Sequence, residues 1–211
     1  GTLTVTARYT LIGNQLSLSM RAQSTKATPV SLAQHSYFNL AGHHSGSVRT
    51  HEVTILSDTF TPVDDNLIPT GELRPVDGSV MDLRDSTVLG DRLDQHRLEA
   101  RDAESTTGYD HNYVLRKGTT LEPEHAATVH EPVTGRTMTV FTTAPAVQFY
   151  TANFLDGLEG KGGVSYPAQS ALCLETQHAP SSIGKQGDLG DLAIRIIREG
   201  DEYSHTVVYT F

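Results

Sequence analysis

The sequence predicts an all-β protein, a mostly antiparallel sandwich or barrel, on three observations. Apolar and polar residues alternate with period two along nine or more short stretches. Eighteen glycines and nine prolines punctuate those stretches. Heptads, internal repeats and low-complexity segments are absent from the sequence, and almost no stretch reads as helix. With 211 residues and 37% apolar content the chain can bury one core, and residues 1–211 are read as a single domain.

The elements follow in order. Leu3, Val5, Ala7 and Tyr9 alternate with Thr4, Thr6 and Arg8. Gly13-Asn14 marks a turn, and Leu16, Leu18 and Met20 alternate again, so residues 3–21 read as a hairpin. Pro29 to Leu40 reads as extended. His51 to Phe60 reads as one strand that enters a loop rich in Pro, Asp and Gly, TPVDDNLIPTG, and Glu72 to Asp77 as a short extended piece. Residues 81–107 are charged and weakly periodic. They read as a long surface excursion with one short helix around Asp91 to Glu99, rather than as an interdomain linker, because strand patterns resume at once. Gly108 to Leu115, His125 to Glu131, Arg136 to Thr143 and Ala146 to Tyr150 read as strands, and Lys161-Gly162-Gly163 as a loop. Ala171 to Leu174 is a buried strand that delivers the carboxylate of Glu175, and Leu192 to Ile197 and Tyr203 to Phe211 close the chain.

Composition excludes several classes of function. Net charge is −9, and the 16 Lys and Arg are scattered, so neither a nucleic acid nor an anionic membrane is an expected partner. No apolar run is long enough to span a bilayer, and no signal peptide is seen, although the chain opens on Gly1-Thr2 without Met. The lone cysteine, Cys173, precludes an intrachain disulfide and fits a reducing compartment, so a cytoplasmic location is expected. Cys173 sits in an apolar run with no base beside it and reads as a buried, inert thiol. Patterns for serine hydrolases, P-loop NTPases and dinucleotide-binding folds are missing. His43, His44, His51, His125 and His130 have no metal-ligand spacing, so no metal is expected.

Three stretches could carry chemistry. In an extended HSYFNL segment, His35, Tyr37 and Asn39 share one face while Ser36, Phe38 and Leu40 share the other. A polar-aromatic face suits a sugar, and a solvated sheet face is the plain alternative. In GYDHN, Asp110 and Asn112 share a face that could accept hydrogen bonds from hydroxyls, or could simply start a strand at a turn. In AVQFY, Gln148 and Tyr150 point one way and Phe149 the other. Glu175, at the end of an apolar strand, is held rigidly and partly desolvated. That raises a carboxyl pKa and suits a base, although a strand-end surface Glu is the commoner case.

These stretches, in this order, resemble the galactose mutarotase (aldose 1-epimerase) family. HSYFNLAG at 35–42 is similar to the family's histidine motif, and FTPVDDNLIPTGE at 60–72 to its characteristic loop. MDLR at 81–84, GYDHNYVL at 108–115, VTGRTMTV at 133–140, AVQFYTANFL at 146–155 and LCLETQ at 172–177 follow, and REGDEYSHTVVYTF resembles the closing strands. The resemblance runs from about Leu3 to Phe211 and implies a large, mostly antiparallel β-sandwich, here lacking its N-terminal strands.

It further implies interconversion of the α and β anomers of free aldohexoses such as galactose and glucose, with no cofactor and no metal. His35 falls on the family's general acid, Glu175 on its general base, Asp110 on its sugar-binding aspartate and Gln148 on a sugar-contacting glutamine. Ser36 and Tyr37 are placed in the same site by adjacency. The acid and base are expected on opposite sides of the sugar ring. Two departures stand out. The family's N-terminal portion, with its binding arginine and second histidine, has no match here, so the domain reads as N-terminally incomplete. The missing part is a segment of a longer chain or a separate chain, or the protein is a shortened relative; a homodimer is the other candidate partner. His178-Ala179-Pro180-Ser181-Ser182 also replaces the usual proline-aspartate pattern. The competing readings are a non-catalytic sugar-binding or regulatory protein on this scaffold and a phosphosugar epimerase. The second is weakened because the matched motifs hold no clustered Arg or Lys.

Overall fold

Side chains alternate across a strand, so each strand can feed a core with one face and present chemistry with the other. The computed structural model, which describes residues 1–95, 107–185 and 189–211, is built on that rule. Its strands are β1 (Leu3–Ile12), β2 (Gln15–Ser24), β3 (Thr28–Val30), β4 (Glu52–Ile55), β5 (Ser57–Thr61), β6 (Arg74–Pro75) and β7 (Thr87–Val88). After helix α1 (Leu89–Leu93) come β8 (Asp110–Leu115), β9 (Glu124–Glu131), β10 (Arg136–Thr142), β11 (Ala146–Tyr150), β12 (Asp156–Glu159) and β13 (Ser165–Pro167). Strands β14 (Cys173–Gln177), β15 (Arg195–Ile197) and β16 (Tyr203–Thr210) complete the order.

Two sheets stack as an antiparallel sandwich. The larger runs β1-β2-β16-β10-β9-β4-β7 and the smaller β14-β11-β8-β5-β6, with two short pairs, β12-β13 and β15-β3, beside them. The core lies between the sheets. Leu18, Met20, Ile55, Val129, Met138 and Tyr209 enter it from the larger sheet, and Phe60, Tyr113, Phe149 and Leu174 from the smaller. Each buried apolar side chain of this size contributes roughly 1.5–3 kcal/mol over its exposed state.

The structure departs from the sequence expectations at four places. The stretch 51–60 is two strands, because the chain leaves the larger sheet at Ile55 and joins the smaller at Ser57. Residues 31–40 are not a strand; after β3 they touch the sheet through one antiparallel bridge, Phe38 to Leu172. The buried strand expected to end at Leu174 is β14, which runs on past Glu175 because Thr176, about 1% exposed, also faces the core. The expected hairpin forms as β1 and β2, and β1, at the edge of its sheet, leaves Tyr9 and Leu11 exposed by 59% and 71%. The short helix spans Leu89–Leu93, with Leu89 and Leu93 buried one turn apart. The part of the helix expected at 96–99 lies outside the described residues. No helix of the described residues is long and apolar enough to cross a membrane.

Candidate active site

The smaller sheet turns one face to the core and the other to a cleft. On β14, Leu174 and Thr176 point inward and are about 1% exposed, while Glu175 and Gln177 line the cleft. On β11, Val147 and Phe149 point inward and Gln148 outward; on β8, Tyr113 points inward and Asp110 and Asn112 outward. Strand register then assembles the floor. Gln148 lies opposite Glu175 on one side and Asn112 on the other. Tyr150 lies likewise between Cys173 and Asp110. Directly opposed residues have Cβ atoms about 4.5–5.5 Å apart, close enough for their side chains to act on one small ligand.

The wall comes from residues 31–38. Phe38 and Leu172 exchange two backbone hydrogen bonds, the Phe38 N–H to the Leu172 carbonyl at 2.8 Å and the Leu172 N–H to the Phe38 carbonyl at 2.9 Å. His35 precedes this bridge by three residues and Glu175 follows it by three, so their side chains meet, Nε2 to Oε1 at 3.4 Å. His35 stacks on Tyr37 with ring centroids 5.1 Å apart, and Tyr150 stands edge-on to both at 6.3 Å. Behind the wall, the Tyr209 hydroxyl donates to Gln34 Oε1 at 2.9 Å, and Gln34 Oε1 also accepts the Ser36 N–H at 3.2 Å.

Of the residues singled out in the sequence, the structure thus gathers His35, Glu175, Asp110 and Gln148 around one cleft of about 300 Å³. Tyr37 joins them by stacking. Ser36 does not line the cleft; its hydroxyl meets the Gln34 amide. Asn39 is also apart, since its amide donates to the Gly46 and Ser170 carbonyls and braces the loop. The loop after β5 forms a lip with Val63, Leu67 and Pro69, closed by a Val63–Pro69 bridge. Asp64 Oδ1 holds that loop by accepting the N–H groups of Asn66 and Ile68 at 2.8 and 3.0 Å. Leu67 there is left-handed at φ 61°.

The electrostatics suit proton transfer. Burial raises the Glu175 pKa; the His35 charge opposes that shift and the Asp110 charge adds to it. Burial likewise raises Asp110, against the hydrogen bond it accepts from Gln148 Nε2 at 2.7 Å and against His35. Burial pushes the Tyr150 phenol up to about 12 and the Cys173 thiol well up, so neither ionises near neutrality.

The floor also holds unused hydrogen-bonding capacity. Asn112 is 1% exposed, yet its Nδ2 and Oδ1 have no partner among the described residues, and neither has Gln148 Oε1. Buried polar atoms are nearly always paired, which sets these apart from the rest of the described interior. Asn112 appears in the sequence only as Asp110's neighbour on a shared face; its unmet amide is visible only in the fold. The placement of His35 relative to Glu175 also differs from expectation. His35 and Glu175 sit side by side, and not on opposite sides of a ring-sized space. A donor and an acceptor this close can serve two oxygens bonded to one carbon, as in a cyclic hemiacetal. Among the described residues, no three His, Cys, Asp or Glu side chains are grouped as metal ligands.

The family model described as aldose 1-epimerase matches residues 1–210. Human galactose mutarotase is 46% identical over the whole of this chain, and aldose 1-epimerase from Escherichia coli K12 is 35% identical. The chain spans 58% and 59% of those two proteins' lengths. Among solved structures, the GalM/aldose epimerase homologue from C. elegans superposes with a TM-score of 0.80 at 27% identity, covering 99% of this chain and 59% of that one.

Proposed function

We propose, on the premise that this chain belongs to the aldose 1-epimerase family, that the protein interconverts the α and β anomers of free aldohexoses such as galactose and glucose. The observation that carries the proposal is the His35–Glu175 contact at 3.4 Å above a floor of uncommitted hydrogen-bonding groups. Glu175 takes the proton from the C1 hydroxyl. The C1–O5 bond breaks with its electron pair going to O5, which receives a proton from the His35 imidazolium. The open-chain aldehyde turns about C1–C2. On closure the hydroxyl at C5 attacks C1 and returns its proton to His35, while Glu175 returns its own to the former carbonyl oxygen. Protons balance, and both groups end as they began.

Asp110, Gln148 and Asn112 orient the sugar through its other hydroxyls, and Tyr37 and Tyr150 pack on its C–H faces. Ser36 acts at one remove, through Gln34, by holding the segment that carries His35. Residues 1–211 belong to one sandwich domain, to which a further segment or chain adds. The open face of β1 and the 58% span of the relatives support that reading. The single cysteine, fully buried, supports a cytoplasmic setting.

Polarimetry on freshly dissolved α-D-galactose and α-D-glucose tests the proposal. The intact protein is expected to speed the decay of rotation in proportion to its concentration, and His35→Gln to remove about 10²–10⁴-fold of that rate. Sugar binding with no acceleration would overturn the catalytic reading and leave a binding protein.

A further inference from the structure

We propose that the protein carries a second small-molecule site, for a small oxyanion, in the cleft behind the end of β14 lined by Arg195, Arg198 and His178. The alternation that turns Glu175 and Gln177 to the sugar cleft turns Thr176 and His178 the other way. A space of about 660 Å³ opens there, within the range of small-molecule pockets, and shares no lining residue with the first cleft. A hollow of about 200 Å³ adjoins it through Thr119, His178 and Arg195.

Two independent observations point to an anionic occupant. His178 is 6% exposed, yet neither ring nitrogen has a hydrogen-bond partner among the described residues. His205 shows the ordinary arrangement for a buried imidazole on the same side of the sheet. Its Nε2 meets Thr176 Oγ1 at 3.0 Å and its Nδ1 the Leu32 carbonyl at 3.0 Å. His178 thus has one donor and one acceptor withdrawn from bulk water in a side chain that lines the cleft. Second, the guanidinium groups of Arg195 and Arg198 make no ion pair or hydrogen bond among the described residues. Asp191 is the single carboxylate lining the cleft among the described residues, so there two guanidinium charges face one carboxylate. Guanidinium groups favour planar, bidentate contact with phosphate or carboxylate oxygens.

The walls are fixed. The Ala179 N–H donates to the Leu192 carbonyl at 2.9 Å. Ser182 Oγ accepts the Ile194 N–H at 2.8 Å and donates to the Ala179 carbonyl at 2.5 Å. Arg195 begins β15, in register with Val30 of β3. The segment after Glu175 is therefore tied to the strand that carries Arg195, and Arg198 follows directly after that strand. An oxyanion at this position accepts from both guanidinium groups and from the His178 N–H.

The test is a titration of the intact protein with inorganic phosphate, and separately with citrate, at constant ionic strength, following the histidine ring resonances by NMR. The proposal expects a saturable shift of the His178 ring, with affinity weakened about tenfold or more in each of Arg195→Gln and Arg198→Gln. Both arginines are exposed, so these variants should fold, and a thermal melt checks that they do. Saturation by phosphate assigns a phosphorylated ligand, and saturation by citrate alone a carboxylate ligand. A His178 resonance that moves with neither anion overturns the proposal, as does a shift that the two substitutions leave unchanged.

Discussion

Replacing Glu175 by Gln keeps the side chain's size and removes its charge. Gln can still accept a hydrogen bond from the sugar's C1 hydroxyl but cannot take its proton, so the loss falls on kcat, with KM within about threefold. A positioned general base contributes about 10²–10⁴-fold, equivalent to roughly 2.7–5.4 kcal/mol of barrier. Stability should move the other way. The Glu175 carboxylate is held above its ordinary pKa by burial, with the Asp110 charge adding to the shift. The native state therefore binds that proton more tightly than the unfolded chain does, and stability falls as pH rises from the unfolded carboxyl value through the native one. Gln lacks this penalty, and His35, whose side chain is 50% exposed, keeps its contact with solvent when its partner is neutralised. Glu175→Gln is thus expected to melt at or above the wild-type temperature at pH 7 while losing turnover. Polarimetry, or an assay coupled to a dehydrogenase specific for the β anomer, measures the first quantity, and calorimetry across pH the second. A kcat within about threefold of wild type would refute the base assignment. Parallel curves of melting temperature against pH would refute the burial argument.

Three further outcomes are expected. Asn112→Leu removes an amide that has no partner among the described residues, so it should raise KM about tenfold while leaving stability unchanged or improved, as steady-state kinetics and urea unfolding would show. Tyr209→Phe removes the hydroxyl whose one proton lies within reach of Gln34 Oε1 at 2.9 Å and, more weakly, of the Leu174 carbonyl at 3.3 Å. It should cost about 1 kcal/mol in urea unfolding, with Gln34 still accepting the Ser36 N–H. His205 is 2% exposed, and burial takes its pKa from 6.5 down to about 4. Between those values the unfolded chain binds a proton that the native imidazole refuses, so stability should fall by about 3 kcal/mol as pH drops from 6.5 to 4. His178 pulls in the same direction. A His205→Asn variant with the wild-type slope of unfolding midpoint against pH would contradict this.

Period-two patterning made much of the fold legible, because it reports which residues share a sheet face. It paired Asp110 with Asn112 and separated Gln148 from Phe149, as the smaller sheet arranges them. It set Glu175 at the end of a buried run, whereas β14 carries Glu175 mid-strand with Thr176 buried beyond it, because a polar residue facing the core looks like a strand end in the sequence. It could not separate β4 from β5. Residues 52–61 read as one continuous extended run, with no Gly or Pro to mark the point at Leu56 where the chain changes sheets, and the inward side is defined only by what lies across the core. It also took the His35 segment for a strand, because extended backbone beside a single bridge has the same local pattern as backbone in a ladder. The roles of His35 and Glu175 came from family resemblance, since residues 140 positions apart meet only through long-range pairing. The emptiness around Asn112 and His178 left no mark in the sequence, because an unmet hydrogen bond is a property of neighbours.

The Phe38–Leu172 bridge has a consequence for how such a chain can change over evolutionary time. The spacing of His35 and Glu175 rests on main-chain groups that every residue but proline supplies. Exchanges at positions 38 and 172 that keep their bulk should therefore be tolerated. Inserting or deleting one residue between 35 and 38, or between 172 and 175, is different in kind. It shifts a partner by about 3.3 Å and turns it to the opposite face. Drift in this region should accordingly run through substitution, and length should stay fixed.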